Sequence, residues 1–321
     1  MNTSNIIRIG TRDSQLALWQ ANTVKNLLEK NGHQCVLIPV KSEGDIDLVT
    51  PLYAMGVEGV FTKTLDAYLL SYKIDIAVHS MKDVPTQLAK GIVQSAVLKR
   101  GSTNDIFIPN YLLHTTHHVS PTTNPLPFIT YHLSQIIATG SVRRKAQWLH
   151  RFPETQFENL RGNVQTRLKK LSESNWQGII MAQAGLERMN LLPDNYEVLH
   201  WMLPAPAQGA IMIVCREDDK KLLENVAALN DERTAVCTKI ERAFLNTLMG
   251  GCSTPISALA ELTDDKIIFK GNILSLDGKE KMEIEKTATL ANANELGKES
   301  ANELLQTGAD KIVQKIRNAA K

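Results

Sequence analysis

Short β-branched runs alternate with helical patterns over the first half of the chain. Strands are predicted at 6–10 and 35–40, and the stretch between them carries apolar residues at helical spacing. Ser14 is placed to cap that helix and Asn31 to end it. Strands separated by helices predict a mixed or parallel sheet with helices on both faces.

The same alternation returns further along the chain, after an interruption at 109–134. Further helices are predicted at 61–70, 143–150, 163–171 and 232–247, and further strands at 74–78, 136–138, 179–182 and 211–215. The interruption holds four prolines with Thr and His between them, which predicts a surface excursion without a function of its own.

The last ninety residues have a different pattern. Strands are predicted at 256–262, 267–276 and 281–290, and Asp277-Gly278 is a strong hairpin turn between the last two. A helical pattern follows, which Gly308 is placed to divide. This part of the chain is predicted to form a small α+β domain.

Length and composition bound the class of protein. With 321 residues the chain exceeds the size of a single core, so two or three domains are expected. Its 43% hydrophobic and 22% charged residues are typical of a soluble globular protein, and a net charge of +2 implies no bulk polyelectrolyte partner. We expect no signal peptide, no membrane span and a cytoplasmic location. The four cysteines are widely spaced, which argues against disulfides and a metal site.

Polar clusters follow several predicted strands. Arg12 lies between the first strand and its helix, where it could clamp a carboxylate or be a solvated turn residue. Lys82 and Asp83 follow the strand at 74–78, at the sheet edge where α/β proteins bind ligands. A carboxylate there can act as a general acid or stabilise a cation. The alternative for this stretch is a surface ion pair.

Four arginines lie at predicted helix starts, and they are Arg143, Arg144, Arg161 and Arg167. Because the guanidinium fork matches two carboxylate oxygens, they predict a small polyanionic ligand. Nucleic acid is the other candidate polyanion. The absence of interleaved aromatic residues and the low net charge argue against it.

Cys252 follows two glycines, so it is predicted to lie in a loop with room around its sulfur. Cys35, Cys215 and Cys237 lie in predicted strands or a helix and are expected to be inert core residues. With no histidine partner in the sequence around it, Cys252 does not indicate a protease-like dyad.

The chain resembles the porphobilinogen deaminase family along nearly its whole length. The matching segments are RIGTRDS at 8–14, LALWQ at 16–20, HSMKDVP at 79–85, RR at 143–144, LRGN at 160–163, AGL at 184–186, QGA at 208–210 and GGC at 250–252. The resemblance implies two lobes like those of type II periplasmic binding proteins, each with a mixed sheet, and a small α+β C-terminal domain. We expect domain 1 at 1–102 and 206–230, domain 2 at 103–205 and domain 3 at 231–321.

The resemblance also implies a transferase of haem and other tetrapyrrole biosynthesis, acting as a monomer. Four porphobilinogen molecules would be joined head to tail on a dipyrromethane cofactor held by Cys252, with ammonia released, before hydrolysis frees hydroxymethylbilane. Asp83 would be the catalytic residue. Family positions that line the cofactor match Ser80, Lys82, Asp83, Thr139, Ser141, Arg143, Arg144, Arg167, Ala182, Gln208 and Gly209. Substrate-side positions match Arg12, Ser14, Gln20, Arg161, Arg167 and Arg188.

Three positions depart from the family's pattern. Glu58 stands where lysine is usual and Thr64 where glutamate is usual, in a segment that corresponds to a mobile lid. The exchange at Glu58 should weaken the attraction for an anionic substrate. Gly140 stands where a second serine is usual. The alternative function is a non-catalytic two-lobed protein that binds a small polycarboxylate, but this would not need Cys252.

Overall fold

The structure is a computed structural model that describes residues 6–41, 62–110, 136–248 and 254–319. Within these ranges it has three sheets. The predicted fold class, with two mixed α/β sheets followed by a small α+β unit, is confirmed. Among the described residues, no helix combines the length and apolar character that crossing a membrane requires.

The first sheet has the strand order β2-β1-β3-β10-β4. Its strands are β1 (Ile7–Arg12), β2 (Cys35–Val40), β3 (Ile76–Ser80), β4 (Ile92–Val97) and β10 (Ile211–Arg216). Only β10 runs antiparallel to its neighbours. The helices of this part of the chain are α1 (Gln15–Lys30), α2 (Lys63–Leu70) and α6 (Lys220–Ala227). A buried apolar cluster of β1, β3, β10 and α1 residues forms one core of this lobe.

The second sheet has the order β7-β6-β8-β5-β9 and repeats that arrangement. Its strands are β5 (Asp105–Pro109), β6 (Ile136–Ala138), β7 (Gln156–Glu158), β8 (Gly178–Ala182) and β9 (Glu197–Val198). Here β5 is antiparallel to both neighbours. The accompanying helices are α3 (Val142–Arg151), α4 (Val164–Ser172) and α5 (Gln183–Arg188). The antiparallel strands β5 and β10 are those that the chain enters as it passes from one sheet to the other.

The third sheet is an antiparallel meander, which agrees with the predicted hairpin at Asp277-Gly278. Its strands are β11 (Ile256–Thr263), β12 (Lys266–Leu274) and β13 (Lys281–Thr289), and its helices are α7 (Glu232–Thr247), α8 (Leu296–Leu304) and α9 (Asp310–Ala319). Between α8 and α9 the chain kinks at Gly308, whose φ of 124° favours glycine. The kink confirms that Gly308 divides the C-terminal helical pattern.

Some predicted bounds differ in the structure, and six elements were not predicted, namely β4, β5, β7, β9, α5 and α6. Pro109 ends β5 and does not open the excursion, whose residues 111–134 lie outside the described part of the chain. The strand expected from residue 74 begins at Ile76, because a turn with Tyr72 at φ 58° precedes it. Pro109 is tolerated because β9 pairs only with Ile106 and Phe107, so no hydrogen bond of the sheet needs the N–H that proline lacks.

Candidate active site between the two sheets

Asp83 and Lys82 lie in a short 3-10 turn, Met81–Asp83, that directly follows β3. Since β1 runs parallel to β3, Arg12 at the end of β1 is delivered to the same edge of the sheet. Burial and the charge of Arg12 lower the pKa of the neighbouring His79 to about 4, so this histidine is neutral. Lys82 and Asp83 are both half-buried. Because their turn follows β3, they lie at the carboxyl edge of the sheet, where the sequence predicts them.

Ser14, Gln20 and Ser80 belong to the same edge. The Ser14 hydroxyl caps α1 by accepting the Ala17 amide N–H at 3.4 Å, which confirms the predicted cap. Gln20 is buried, and its Nε2 donates to the Ser80 hydroxyl at 2.9 Å. Of the two predicted substrate residues, Gln20 thus fixes α1 to the end of β3, and Ser14 caps the same helix.

The second sheet contributes a buried ion-pair cluster at the start of α3. Arg143 and Arg144, predicted to bind ligand carboxylates, both contact Asp105, at 2.7 Å and 2.9 Å, and Asp105 is fully buried. Burial alone would raise the pKa of Asp105, but these two guanidinium groups lower it to about 2. One carboxylate of the chain therefore already takes up part of their charge.

The loop that leads into α3 is tightly packed. Ser141 caps the helix by accepting the Arg144 amide N–H, and the Thr139 hydroxyl oxygen accepts the Ser141 amide N–H. At Gly140 a Cβ atom would lie 2.5 Å from the carbonyl oxygen of Leu160. This close approach favours glycine at position 140.

Gln208 connects the two sheet edges. Its Oε1 accepts from Lys82 Nζ at 3.2 Å, and its Nε2 donates to Asp105 Oδ1 at 2.9 Å. The register explains the position, since Ile211 of β10 pairs with Ser80, while Asp105 of β5 pairs with Ala182. Each antiparallel strand therefore starts at the carboxyl edge of its neighbour.

Gly209 and Arg188 lie beside this connection. Gly209 has φ 85°, and a Cβ atom there would lie 2.6 Å from the carbonyl oxygen of Ser102. Its own carbonyl oxygen accepts from Arg188 Nη2 at 2.6 Å, and the Arg188 guanidinium lies over the Trp19 ring. Arg188, a predicted substrate residue, thus binds the backbone at the point where the chain passes between the two sheets.

Arg161 and Arg167 complete a basic cluster. Arg161 is buried, and Arg167 is half-buried with its Nε donating to the Gly162 carbonyl oxygen at 2.8 Å. Burial and the charges of Arg144, Arg161 and Arg12 lower the pKa of Arg167 to about 10, although Asp83 opposes them. The pKa of Lys82 is likewise lowered, to about 8; burial is the largest cause and the charge of Arg144 the second.

We call the charged side chains that interact electrostatically with one another here the basic cluster. It has six cations and two carboxylates, and they are Arg12, Lys82, Arg143, Arg144, Arg161, Arg167, Asp83 and Asp105. Cations held this close together repel one another, which raises the free energy of the ligand-free protein. A ligand with several carboxylates would relieve that repulsion.

Two predicted positions lie outside the described residues, and they are Cys252 and Glu58. Helix α7 ends at Thr247, five residues before Cys252, so the helix leads into that segment. Thr64 is described, and it lies half-buried in the first turn of α2.

The sequence analysis missed Asp105, Arg100 and Glu241. Glu241, in α7, is fully buried and binds Arg100 through both oxygens, at 2.6 Å and 2.9 Å. Arg100 Nε also donates to the Gln208 carbonyl oxygen at 2.7 Å. The sequence offered one signal for these residues: each is a charged residue, and charged residues are rarely buried without a partner of opposite charge.

Comparison with known proteins gives two family models that match the chain. Residues 7–224 match the model described as porphobilinogen deaminase, dipyromethane cofactor binding domain. Residues 235–306 match the model of the porphobilinogen deaminase C-terminal domain.

Full-length relatives agree with these models. The porphobilinogen deaminase of Moorella thermoacetica is 39% identical over 317 residues, covering 97% of this chain and 96% of the relative. That of Nitratiruptor sp. is 38% identical over 320 residues, covering 98% of each. Among solved structures, a periplasmic substrate-binding protein from Coxiella burnetii aligns with TM-score 0.43 and 12% identity, covering 72% of this chain and 94% of that one.

Proposed function

Because this chain belongs to the porphobilinogen deaminase family, we propose that Asp83 is its catalytic carboxylate and that the basic cluster holds its cofactor and substrate. The chain is a transferase that joins four porphobilinogen molecules head to tail on a dipyrromethane cofactor and releases hydroxymethylbilane. The binding-protein alternative has no comparable support.

The charge of the basic cluster supports this assignment of residues. Each pyrrole of the cofactor carries an acetate and a propionate, so two rings bring four carboxylates to a cluster that is rich in arginine and lysine. When bound, the cofactor supplies the free pyrrole carbon to which the first substrate ring is joined. Lys82, Arg143, Arg144 and Arg167 would hold its carboxylates, with Ser80, Thr139, Ser141, Ala182, Gln208 and Gly209 lining the same space. Its attachment point would be Cys252.

Asp83 has the chemistry that the substrate requires. Loss of ammonia from porphobilinogen leaves a cation spread over the pyrrole ring and its methylene carbon. A carboxylate held near the pyrrole nitrogen stabilises that cation, and Asp83 is the acidic residue of the turn that follows β3. Arg12 and Arg161 would bind the substrate carboxylates, while Ser14, Gln20 and Arg188 would shape the cleft around them.

We further propose the three-domain division 1–102 with 206–230, 103–205 and 231–321, and a cytoplasmic monomer. The strand order supports the division, since β10 follows all strands of the second sheet in the chain and yet belongs to the first sheet. For the monomer and its location, the support is the family resemblance and the wide spacing of the cysteines.

The attachment at Cys252 is tested by intact-protein mass spectrometry of chain made in a haem-synthesising host. We expect the polypeptide mass plus two pyrrole units and colour with Ehrlich's reagent. The Cys252→Ser variant should lack both. A bare polypeptide mass for the unaltered chain would refute the attachment.

The role of Asp83 is tested by Asp83→Ala. This variant should fold, keep its adduct when reconstituted with the cofactor, and lose ammonia release from porphobilinogen by a factor of roughly 100 or more. The matched control is Asp194→Ala, an exposed carboxylate in the loop before β9, which should leave ammonia release unchanged. Turnover of Asp83→Ala at the rate of the unaltered enzyme would exclude the proposed role.

A further inference from the structure

Helix α7 makes a clamp on the turn that carries Lys82 and Asp83. Arg242, half-buried on this helix, donates from Nη1 to the carbonyl oxygen of Val84 at 2.9 Å and from Nη2 to that of Pro85 at 2.6 Å. A longer contact of 3.3 Å joins Nη1 to the carbonyl oxygen of Met81. The three accepting carbonyls bracket Lys82 and Asp83 on both sides.

The turn has few backbone hydrogen bonds of its own. The Val84 amide N–H donates to Met81 O at 3.2 Å and closes the turn, and the Met81 amide N–H donates to Ala210 O at 3.0 Å. The carbonyl oxygens of Val84 and Pro85 instead accept hydrogen bonds from the Arg242 guanidinium. Charged donors make hydrogen bonds about twice as strong as neutral ones, so Arg242 contributes much of what holds the turn in place.

A second contact lies one helical turn further along the same face of α7. The Thr86 hydroxyl donates to Asn246 Oδ1 at 2.9 Å. Arg242 and Asn246 are four residues apart, so both project from one face of the helix toward residues 81–86. Six residues after Asn246 the chain reaches Cys252.

We propose that Arg242 is a positioning residue that fixes the catalytic turn Met81–Asp83 relative to the helix leading to the cofactor cysteine. This inference rests on the proposed roles of Asp83 and Cys252. Arg242 contacts the backbone carbonyl groups on both sides of Lys82 and Asp83, so its effect passes through the placement of Asp83. Misplacement of a catalytic group by about 1 Å can cost roughly 100-fold in rate, which gives the scale of the expected effect.

The test compares Arg242→Leu with the matched control Arg233→Leu in the holoenzyme. Arg233 is an exposed arginine of the same helix whose Nη2 donates to the Leu262 carbonyl oxygen at 2.7 Å, away from the turn. Amide hydrogen exchange of a peptide spanning 79–87 should quicken by roughly tenfold or more in Arg242→Leu and stay unchanged in Arg233→Leu. In the same variant kcat should fall by roughly 100-fold with KM within about threefold.

Chemical rescue sharpens the assignment. Added guanidinium ion at tens of millimolar should restore part of the kcat of Arg242→Leu, whereas urea at the same concentration should not. If Arg242→Leu does not accumulate as folded protein, Arg242→Lys carries the test, because it keeps the charge and loses the fork. Faster exchange at 79–87 together with a lower kcat supports the proposal in either variant.

Two results would overturn it. One is a kcat within about twofold of the unaltered enzyme, with exchange at 79–87 unchanged. The other is faster exchange spread over α7 and the first sheet with a lower unfolding midpoint, which would make Arg242 a general domain contact. An active Asp83→Ala enzyme would refute the proposed role of Asp83, whereas the exchange result at 79–87 would stand by itself.

Discussion

Glu241 accepts the backbone N–H of Ala207 at 2.6 Å, and Ala207 has a φ of 61°. This left-handed conformation is unfavourable for alanine and requires support from its surroundings. The supporting carboxylate belongs to α7, and it also binds Arg100 through both oxygens. One buried carboxylate therefore joins the C-terminal unit to both chain segments that pass between the sheets.

Glu241→Gln should destabilise the protein by about 3–5 kcal/mol, because it leaves the mostly buried Arg100 without its counter-charge. The control is Glu303→Gln, which removes a surface pair with Lys286 and should cost less than about 1 kcal/mol. Urea unfolding of both variants gives the comparison. Equal losses in the two variants would contradict a special role for the buried pair.

Because of Asp105, the free energy of unfolding should depend on pH in the acidic range. Its pKa is about 2 in the folded protein and about 4 in an unfolded chain, so folding favours the ionised form. The stabilisation is fully present above about pH 4 and is lost as the pH falls through about 2. Urea midpoints measured between pH 5 and pH 2 should drop for the unaltered chain. For Asp105→Asn they should start lower and fall less steeply, and parallel curves would refute the assignment.

Local patterns were enough to predict several of the elements that position the site. The bounds of α7 agree with the prediction at both ends, and the Ser14 cap is where the sequence places it. Such features depend on residues within one or two helical turns, so they are readable without tertiary structure. In contrast, six elements were missed, namely β4, β5, β7, β9, α5 and α6. The sequence of β4, IVQSAV, has only weak alternation.

Pairings between distant residues were not predictable. Arg100 and Glu241 are 141 residues apart, and nothing near either one indicates the other. In the same way, the sequence places Arg143 and Arg144 at a helix start without showing that Asp105 of another strand shares their charge. Only the topology brings these groups together, because β5 starts beside the end of β8.

Lys82, which would hold a cofactor carboxylate, also contributes its positive charge to the basic cluster, so it should make the binding of anionic substrate weaker at alkaline pH. Burial and Arg144 lower the pKa of Lys82 to about 8, so this side chain loses its charge as the pH rises through 8. The KM for porphobilinogen should therefore rise above pH 8. An arginine at this position would keep its charge above pH 8, so the KM of Lys82→Arg should rise less with pH. Comparing both enzymes from pH 7 to pH 9.5 cancels the ionisation of the substrate itself. Superimposable curves would exclude Lys82 as the titrating group.

Gly278, in the hairpin between β12 and β13, should be sensitive to alanine because it packs against α3. It has φ 73°, and a Cβ atom there would lie 2.5 Å from the Ala146 carbonyl oxygen. His150 Nδ1 also lies 2.8 Å from the Gly278 carbonyl oxygen. Gly32 is the matched control, since it has φ 86° with nothing within 4 Å of its Cβ position.

Both substitutions force alanine into the left-handed region, which costs roughly 1–2 kcal/mol. Only Gly278→Ala also drives a methyl group into the backbone of α3, which should add about 1–3 kcal/mol. The free energy of unfolding in urea should therefore fall further for Gly278→Ala than for Gly32→Ala. The excess measures how closely the C-terminal hairpin packs on the helix that carries Arg143 and Arg144. Equal losses would show that the hairpin can move away from α3 at little cost.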